Sequence, residues 1–407
     1  MALAERMPTE LLLEELADDG RVVHVEHLPA RPARYASLER PLPPALARLV
    51  PPAGLWSHQV QAVDLLRRGQ SVVVATDTAS GKSLCYQLPI AEAVADRLRP
   101  ATALLLFPTK ALAHDQLRSL GGLQVPGMVP VAYDGDTDQA TRAWAREHAN
   151  VVLTNPEMLH AGLLPHHTRW ATFLRRLRYV VIDELHVLRG VFGTHLAHLV
   201  RRLRRLCAHY GAHPTFAFCS ATIGQPDRLA STLCGLDVVA VDEDGSPRGQ
   251  RRFALLDPPV VDELSGARTS SNAETASMVA RLVAADRRAI AFCRSRKGTE
   301  LVAADIARRL PLELRDAVRA YRSGYLAEER RQIEAELFGG EVRAVVATSA
   351  LELGVDIGAL DACVLNGFPG TIASMWQQAG RAGRQCQDSL SVLVAGEDQL
   401  DRWFMAN

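Results

Sequence analysis

The sequence predicts an α/β chain of two tandem lobes, each a doubly wound parallel sheet flanked by helices. Short aliphatic or β-branched runs recur along the chain, and each is followed by a polar turn and then a helical pattern. A break near the middle divides this series in two. In the first half the runs are SVVVAT (71–76), ATALLLF (101–107), VVLTN (151–155), YVVID (179–183) and TFAFCS (215–220). In the second half they are AIAFC (289–293), VRAVVAT (342–348), ALDACVLNG (359–367) and SLSVLVAG (389–396). Runs without polar alternation describe strands buried on both faces, and alternation with helices describes βαβ units. Between about 241 and 275, DEDGSPRG, LDPPV and SGARTSSN gather Gly, Pro, Ser and charge, which predicts a linker and an irregular lead-in to the second lobe. The first 50 residues end in PLPPALARLVPP and predict an N-terminal appendage, so the expected domains are 1–50, 51–243 and 244–407.

Bulk composition narrows the function classes. Of 407 residues, 48% are hydrophobic and 23% charged, which is ordinary for a soluble globular protein. Lys plus Arg number 46 and Asp plus Glu number 46, so a polyanionic partner must be met by a local groove. None of the seven cysteines forms a C-x-x-C pair, so no zinc site is expected within this chain. The opening MALAERMPTELLLEELADDG lacks the basic head and unbroken apolar core of a signal peptide. No run is long enough to span a membrane, and a cytoplasmic monomer is expected.

Three constellations carry chemistry. In VVVATDTASGKSLCYQLP, Thr76 to Ser83 follow phosphate-loop spacing, with Thr76 where the usual pattern has Gly or Ala. The loop residues Thr78, Ala79, Ser80 and Gly81 would bring backbone N–H groups to the phosphates of ATP. Lys82 would reach the β- and γ-phosphates, and the Ser83 hydroxyl would sit on Mg²⁺. Next, YVVIDELH ends a buried strand in two carboxylates: Asp183 would hold Mg²⁺ and Glu184 would polarise the attacking water, with His186 relaying the nucleotide state. Finally, WQQAGRAGR places Arg381 and Arg384 three apart, which on a helix shares one face and supplies arginine fingers, with Gln377 beside them.

In order, the chain reads WSHQ, ATDTASGKS, FPTKALAHDQ, TNPEMLH, VIDELH, SATI, FCRSR, ATSALELGVDIG and QQAGRAGR. This resembles the full motif series of a superfamily 2 helicase over roughly residues 55–385, and so implies two RecA-like domains with the ATP site in the cleft between them. Gln59 stands 23 residues before Lys82, where RecQ-like helicases carry the glutamine that reads adenine. DELHVLRGVFGTH, YRSGYLAEERRQIE and FPGTIASMWQQAGRAGR are similar to the bacterial YprA/MrfA-like helicases, relatives of the fungal Hrq type, which share Thr at the position of Thr76. The resemblance implies 3′-to-5′ DNA unwinding and a role in genome repair, including crosslink damage. It implies that Thr109, Lys110, Thr154 and Asn155 in the first lobe, and Arg294 and Thr348 in the second, touch the backbone of single-stranded or partly duplex DNA. It implies that Ser220 and Thr222 couple the ATP site to that strand, and that Glu352, Gly354 and Asp356 lie at the lobe interface near the ribose and attacking water.

Members of that branch continue past the last motif into a region with a four-cysteine metal site. This chain ends at DQLDRWFMAN and reads more readily as a cut piece than as a natural short form, with hydrolysis expected and unwinding in question. RRLRR (201–205) reads as a solvated helix face in preference to an extension of the nucleic-acid track, and Tyr35 as a packing partner for adenine. With aromatics at 5%, backbone contacts rather than base stacking should dominate binding. Two other readings stand beside the DNA motor: the same engine on RNA, and a nucleic-acid-binding module that uses ATP only as a switch.

Overall fold

The aliphatic runs form the strands they predict, because in-plane neighbours and helices on both faces remove every side chain from water. The computed structural model describes residues 13–14, 19–352 and 358–406. The chain divides into two compact units, one of residues 33–246 and one that combines residues before 33 with those from 247 onward.

In the first unit seven strands run in the order Val238–Val241, Ser71–Ala75, Thr215–Ser220, Leu177–Ile182, Thr102–Leu106, Val151–Thr154, Pro130–Ala132. All pairings are parallel. Parallel neighbours must be joined by crossovers, so loops that are distant in sequence leave the same edge of the sheet side by side. Ala75 pairs with Ser220, and Ile182 with Phe218, so the loops opening at Thr76, Asp183 and Ala221 emerge together. Leu106 pairs with Thr154 in the same way, which brings the FPTK and TNPE loops together. One face is sealed by a core that includes Leu104, Val152, Val180 and Phe216, while helices Ser57–Arg67 and Lys82–Ala95 contribute Val63, Leu88 and Ala91 to a second cluster.

The second unit has its own seven-stranded sheet, ordered Val22–Leu28, Arg251–Leu256, Ser389–Val394, Ala362–Asn366, Ala289–Cys293, Ala344–Ala347, Val318–Tyr321. Its strands are parallel except for Val22–Leu28, which runs antiparallel along Arg251–Leu256. This corrects two expectations. Among the described residues before 51, the chain is not a separate appendage: Val22–Leu28 supplies an edge strand to one unit and Tyr35–Ala36 a ribbon to the other. The stretch 241–275 is not only linker: it contains strand Arg251–Leu256 and the hairpin Val260–Asp262/Ala267–Arg268. Both strands were hidden by charge. VVHVEHL is an exposed edge with polar side chains, and RRFALL opens on two arginines at the sheet margin.

Candidate functional site

Strand Ser71–Ala75 gives way to the loop from Thr76 to Gly81 and then to helix Lys82–Ala95. Gly81 caps that helix at φ +63° and puts no side chain of its own on the N–H groups of the first turn. A Cβ there would lie 2.6 Å from Gln59 Nε2 and 3.0 Å from the Trp56 ring. Thr76, the departure from the usual phosphate loop, is buried and its hydroxyl lies 2.6 Å from Ser80 Oγ, bracing the loop from its first residue to its crown. Ala79 takes the left-handed φ of 62° that lets the chain turn beside Thr78. Lys82 donates to the carbonyls of Thr76 at 2.9 Å and Asp77 at 2.6 Å, which holds its ammonium over the loop. Gly81→Ala is therefore expected to weaken nucleotide binding and cost about 1–3 kcal/mol of stability, read by nucleotide titration and thermal melting.

Gln59 is buried behind the loop. Its Oε1 accepts from Trp56 N–H at 3.0 Å, and its Nε2 donates to Gly81 O at 3.1 Å. One N–H and one lone pair remain, which suits the two-point edge of adenine. The neighbouring His58 went unnoticed in the sequence. It is fully buried; its Nδ1 accepts from Gly245 N–H at 3.1 Å, so Nε2 carries the proton and donates to Ser80 O at 2.8 Å. Its only signal was the adjacency of His to Gln in WSHQ. Tyr35 is half exposed and pairs with Trp56 in the short ribbon beside this corner.

Strand Leu177–Ile182 delivers the paired carboxylates. Asp183 N–H donates to Leu106 O, and Glu184 N–H donates to Asp183 Oδ1 at 2.8 Å, with Glu184 held at φ +54°. Burial pushes the Asp183 carboxyl above its ordinary range, opposed by the Glu184 N–H and the Lys82 charge. Burial likewise pushes the Tyr86 phenol up; the Asp183 charge adds to this and a hydrogen bond with Ser83 opposes it. The Tyr86 hydroxyl itself donates to Gln116 Oε1 at 2.9 Å. The Ser83 hydroxyl and the Asp183 carboxylate are hard oxygen donors of the kind that Mg²⁺ takes, which fits that ion.

His186 Nδ1 lies 3.4 Å from Glu184 Oε2 and 3.3 Å from the Ala221 N–H that points at it. Thr222 Oγ1 reaches Asp77 Oδ1 at 3.5 Å, while Ser220 is fully buried. The SATI segment therefore touches the phosphate loop through one residue and the DELH box through another.

The residues expected to meet nucleic acid have local roles as well. Thr109 caps helix Lys110–Gly122, accepting from Leu112 N–H at 3.3 Å, and Asn155 accepts from Met158 N–H at 2.8 Å. Lys110 pairs with Asp136 at 2.8 Å, which raises its pKa. Thr154 is turned inward: its hydroxyl donates to Tyr133 O at 2.6 Å and is 1% exposed, so it presents nothing to a phosphate. In the second unit, Arg294 follows strand Ala289–Cys293 and Thr348 follows the adjacent strand Ala344–Ala347, where it caps Ser349–Leu351. Arg294 opens onto a cavity of 390 Å³ that Glu352, Asn366, Phe368 and Gln378 also line. It bonds Asp401 at 2.6 Å and Asp398 at 3.3 Å. Glu352 accepts from Gln378 Nε2 at 2.9 Å. Gly354 and Asp356 lie outside the described residues.

Arg381 and Arg384 do not share a helix face. Helix Ile372–Ala379, which carries the buried Gln377, stops at Gly380, and both arginines follow in the succeeding turn. Gly383 takes φ +75°, and a Cβ there would meet Ser389 Oγ at 2.5 Å. Arg381 is buried, with its guanidinium on the Glu352 carbonyl, Nε at 3.2 Å.

Two family models match, DEAD/DEAH box helicase over residues 56–229 and helicase conserved C-terminal domain over 274–386. The chain is 40% identical over 408 residues to the ATP-dependent helicase YprA of Bacillus subtilis, covering 97% of this chain and 53% of that one. It is 38% identical over 401 residues to the ATP-dependent helicase HRQ1 of Saccharomyces cerevisiae, covering 95% of this chain and 37% of that one. The crystal structure of the DUF1998 helicase MrfA bound to DNA and AMPPNP superposes with a TM-score of 0.89 at 40% identity, covering 97% of this chain and 56% of that one. The chain thus spans about half the length of YprA and of MrfA, and less of HRQ1.

Proposed function

We propose that this chain, which belongs to the superfamily 2 helicases of the YprA/Hrq/MrfA type, is an ATP-hydrolysing motor core that moves 3′-to-5′ on single-stranded or partly duplex DNA in genome repair. One observation carries the reading. The phosphate loop, the DELH box and the SATI segment leave three adjacent parallel strands and are joined by hydrogen bonds through Asp77 and His186. The DNA-bound, AMPPNP-bound MrfA structure supports the choice of ligands.

Lys82 neutralises charge on the β- and γ-phosphates, and Gln59 reads the adenine edge. Bound Mg²⁺, held by Ser83 and through Asp183, would spread the phosphate charge. Glu184 orients and polarises the attacking water. Arg381 and Arg384 stabilise the transferring phosphoryl, which makes hydrolysis depend on the second unit as well as the first. His186, Ser220 and Thr222 pass the nucleotide state to the loops that carry Thr109, Lys110 and Asn155. Arg294 and Thr348 hold the strand on the second unit. Backbone contacts of this kind are blind to sequence and sensitive to salt. Among the described residues, no helix is long and apolar enough to cross a membrane.

Steady-state ATP hydrolysis with and without single-stranded DNA tests the reading, with Lys82→Ala as the blank. DNA should stimulate turnover more than matched RNA, and Lys82→Ala should lower it by about 10²–10³-fold. Equal or greater stimulation by RNA would favour an RNA motor. Tight ATP binding without turnover on any nucleic acid would favour the switch.

A further inference from the structure

The arginines of the RRLRR run lie on the outer face of their helix, as expected, but beside a cavity. Leu203 packs into the core at 0% exposure, while Arg201, Arg204 and Arg205 border a cavity of 500 Å³ in the first unit, together with His213. The floor of that cavity is apolar: Ala208 and Ala212 come from the end of helix Gly190–His209 and the turn after it, Pro214 from the same turn, and Leu236 from the far side. Among the described residues, no carboxylate lines it. Arg204 is fixed, donating to the carbonyls of Cys234 at 2.7 Å and Gly235 at 3.0 Å, where it closes the end of helix Pro226–Cys234. Arg201 and Arg205 are exposed and, among the described residues, have no ion-pair partner.

Position separates this cavity from the motor surface. His213 and Pro214 immediately precede strand Thr215–Ser220, so the cavity lies at the amino end of a wholly parallel sheet. The nucleotide loop and the expected strand contacts all follow the carboxyl ends. Six residues of strand separate the two edges, about 20 Å.

We propose that this cavity is a docking site for a protein segment of acidic residues around one apolar anchor, aromatic or leucine-like. Two observations select that chemistry over nucleic acid. An apolar floor has no use for a sugar-phosphate backbone but buries a hydrophobic side chain, while the unpaired Arg201 and Arg205 receive the flanking carboxylates. The site also faces away from the edge where a translocating strand would run, so a partner can be held there throughout the ATP cycle.

The test uses the whole chain and a fluorescein-labelled peptide with glutamates on both sides of a single phenylalanine, followed by anisotropy. Two variants separate charge from shape: Arg201→Glu with Arg205→Glu reverses the rim, and Ala208→Phe fills the floor with every charge kept. All three positions are exposed, and an unchanged melting temperature certifies the fold. Each variant should weaken the peptide about tenfold, as should replacing its phenylalanine with serine. DNA-stimulated ATP hydrolysis should be unchanged. The proposal is overturned if neither variant alters peptide binding, or if the serine peptide binds as tightly as the phenylalanine one. It is equally overturned if oligothymidylate displaces the peptide and the charge reversal weakens DNA binding, for then the cavity serves nucleic acid.

Discussion

Glu184→Gln should leave ATP bound and lower its hydrolysis by about 10²–10⁴-fold, the range lost when a positioned general base is removed. The geometry makes this a clean substitution. Glu184 is held at φ +54° by its own N–H on Asp183 Oδ1, a backbone contact that glutamine repeats. The loop from Thr76 to Gly81 is braced elsewhere, by Thr76 on Ser80 and by Lys82 on two carbonyls. What changes is the charge that lies 3.4 Å from His186 Nδ1. Single-turnover hydrolysis and fluorescent-nucleotide titration check it together. A loss of nucleotide affinity as large as the loss of rate would make Glu184 a structural residue and not a base.

Asp401→Ala should destabilise the second unit by about 2–4 kcal/mol, because the hydrogen bonds of a fully buried carboxylate are lost. Asp401 is 0% exposed, and both its oxygens are used. Oδ1 accepts from Arg294 Nη2 at 2.6 Å and Phe368 N–H at 3.0 Å, and Oδ2 accepts from Gly396 N–H at 2.8 Å. Alanine leaves the buried Phe368 N–H, the half-buried Gly396 N–H and the Arg294 guanidinium without that acceptor. Asparagine offers little relief, because its NH₂ must face one of the two N–H donors. Calorimetry should show a loss of roughly 10 °C in the transition of this unit. Because Arg294 loses its anchor, the same variant should bind single-stranded DNA more weakly. A loss below about 1 kcal/mol would mean that water replaces the carboxylate without penalty.

That carboxylate shows where reading the chain alone stopped. In DQLDRWF it looks like any solvated acid near a terminus, and only the return of the Phe368 and Gly396 backbones makes it a buried hub. Central strands were legible because burial on both faces purges polarity, as in Ser71–Ala75 and Ala289–Cys293. Val22–Leu28 and Arg251–Leu256 were not, since edge position and sheet margin admit histidine, glutamate and arginine. The phosphate loop and DELH box were legible because local chemistry dictates their spacing. The spacing of the arginines in QQAGRAGR predicts a shared helix face, but the helix stops at Gly380, before either of them. Thr154 was legible in its position and not in its rotamer, which depends on a carbonyl supplied by Tyr133.

The second unit is assembled from chain on both sides of the first, and this orders its birth on the ribosome. Pro29 is made 219 residues before Arg248, the residue whose guanidinium it receives. At ordinary rates of synthesis that is a wait of roughly 10–40 s. Throughout it, the segment Val22–Leu28 has no sheet to join, while the whole of residues 33–246 emerges and can fold behind it. The polar side chains on that segment, His24, Glu26 and His27, make it a poor template for pairing with another chain during the delay. A gene fragment beginning at 247 would leave strand Arg251–Leu256 as an uncovered edge, whereas a permuted gene that encodes residues 19–32 beside it would give the second unit a continuous reading frame.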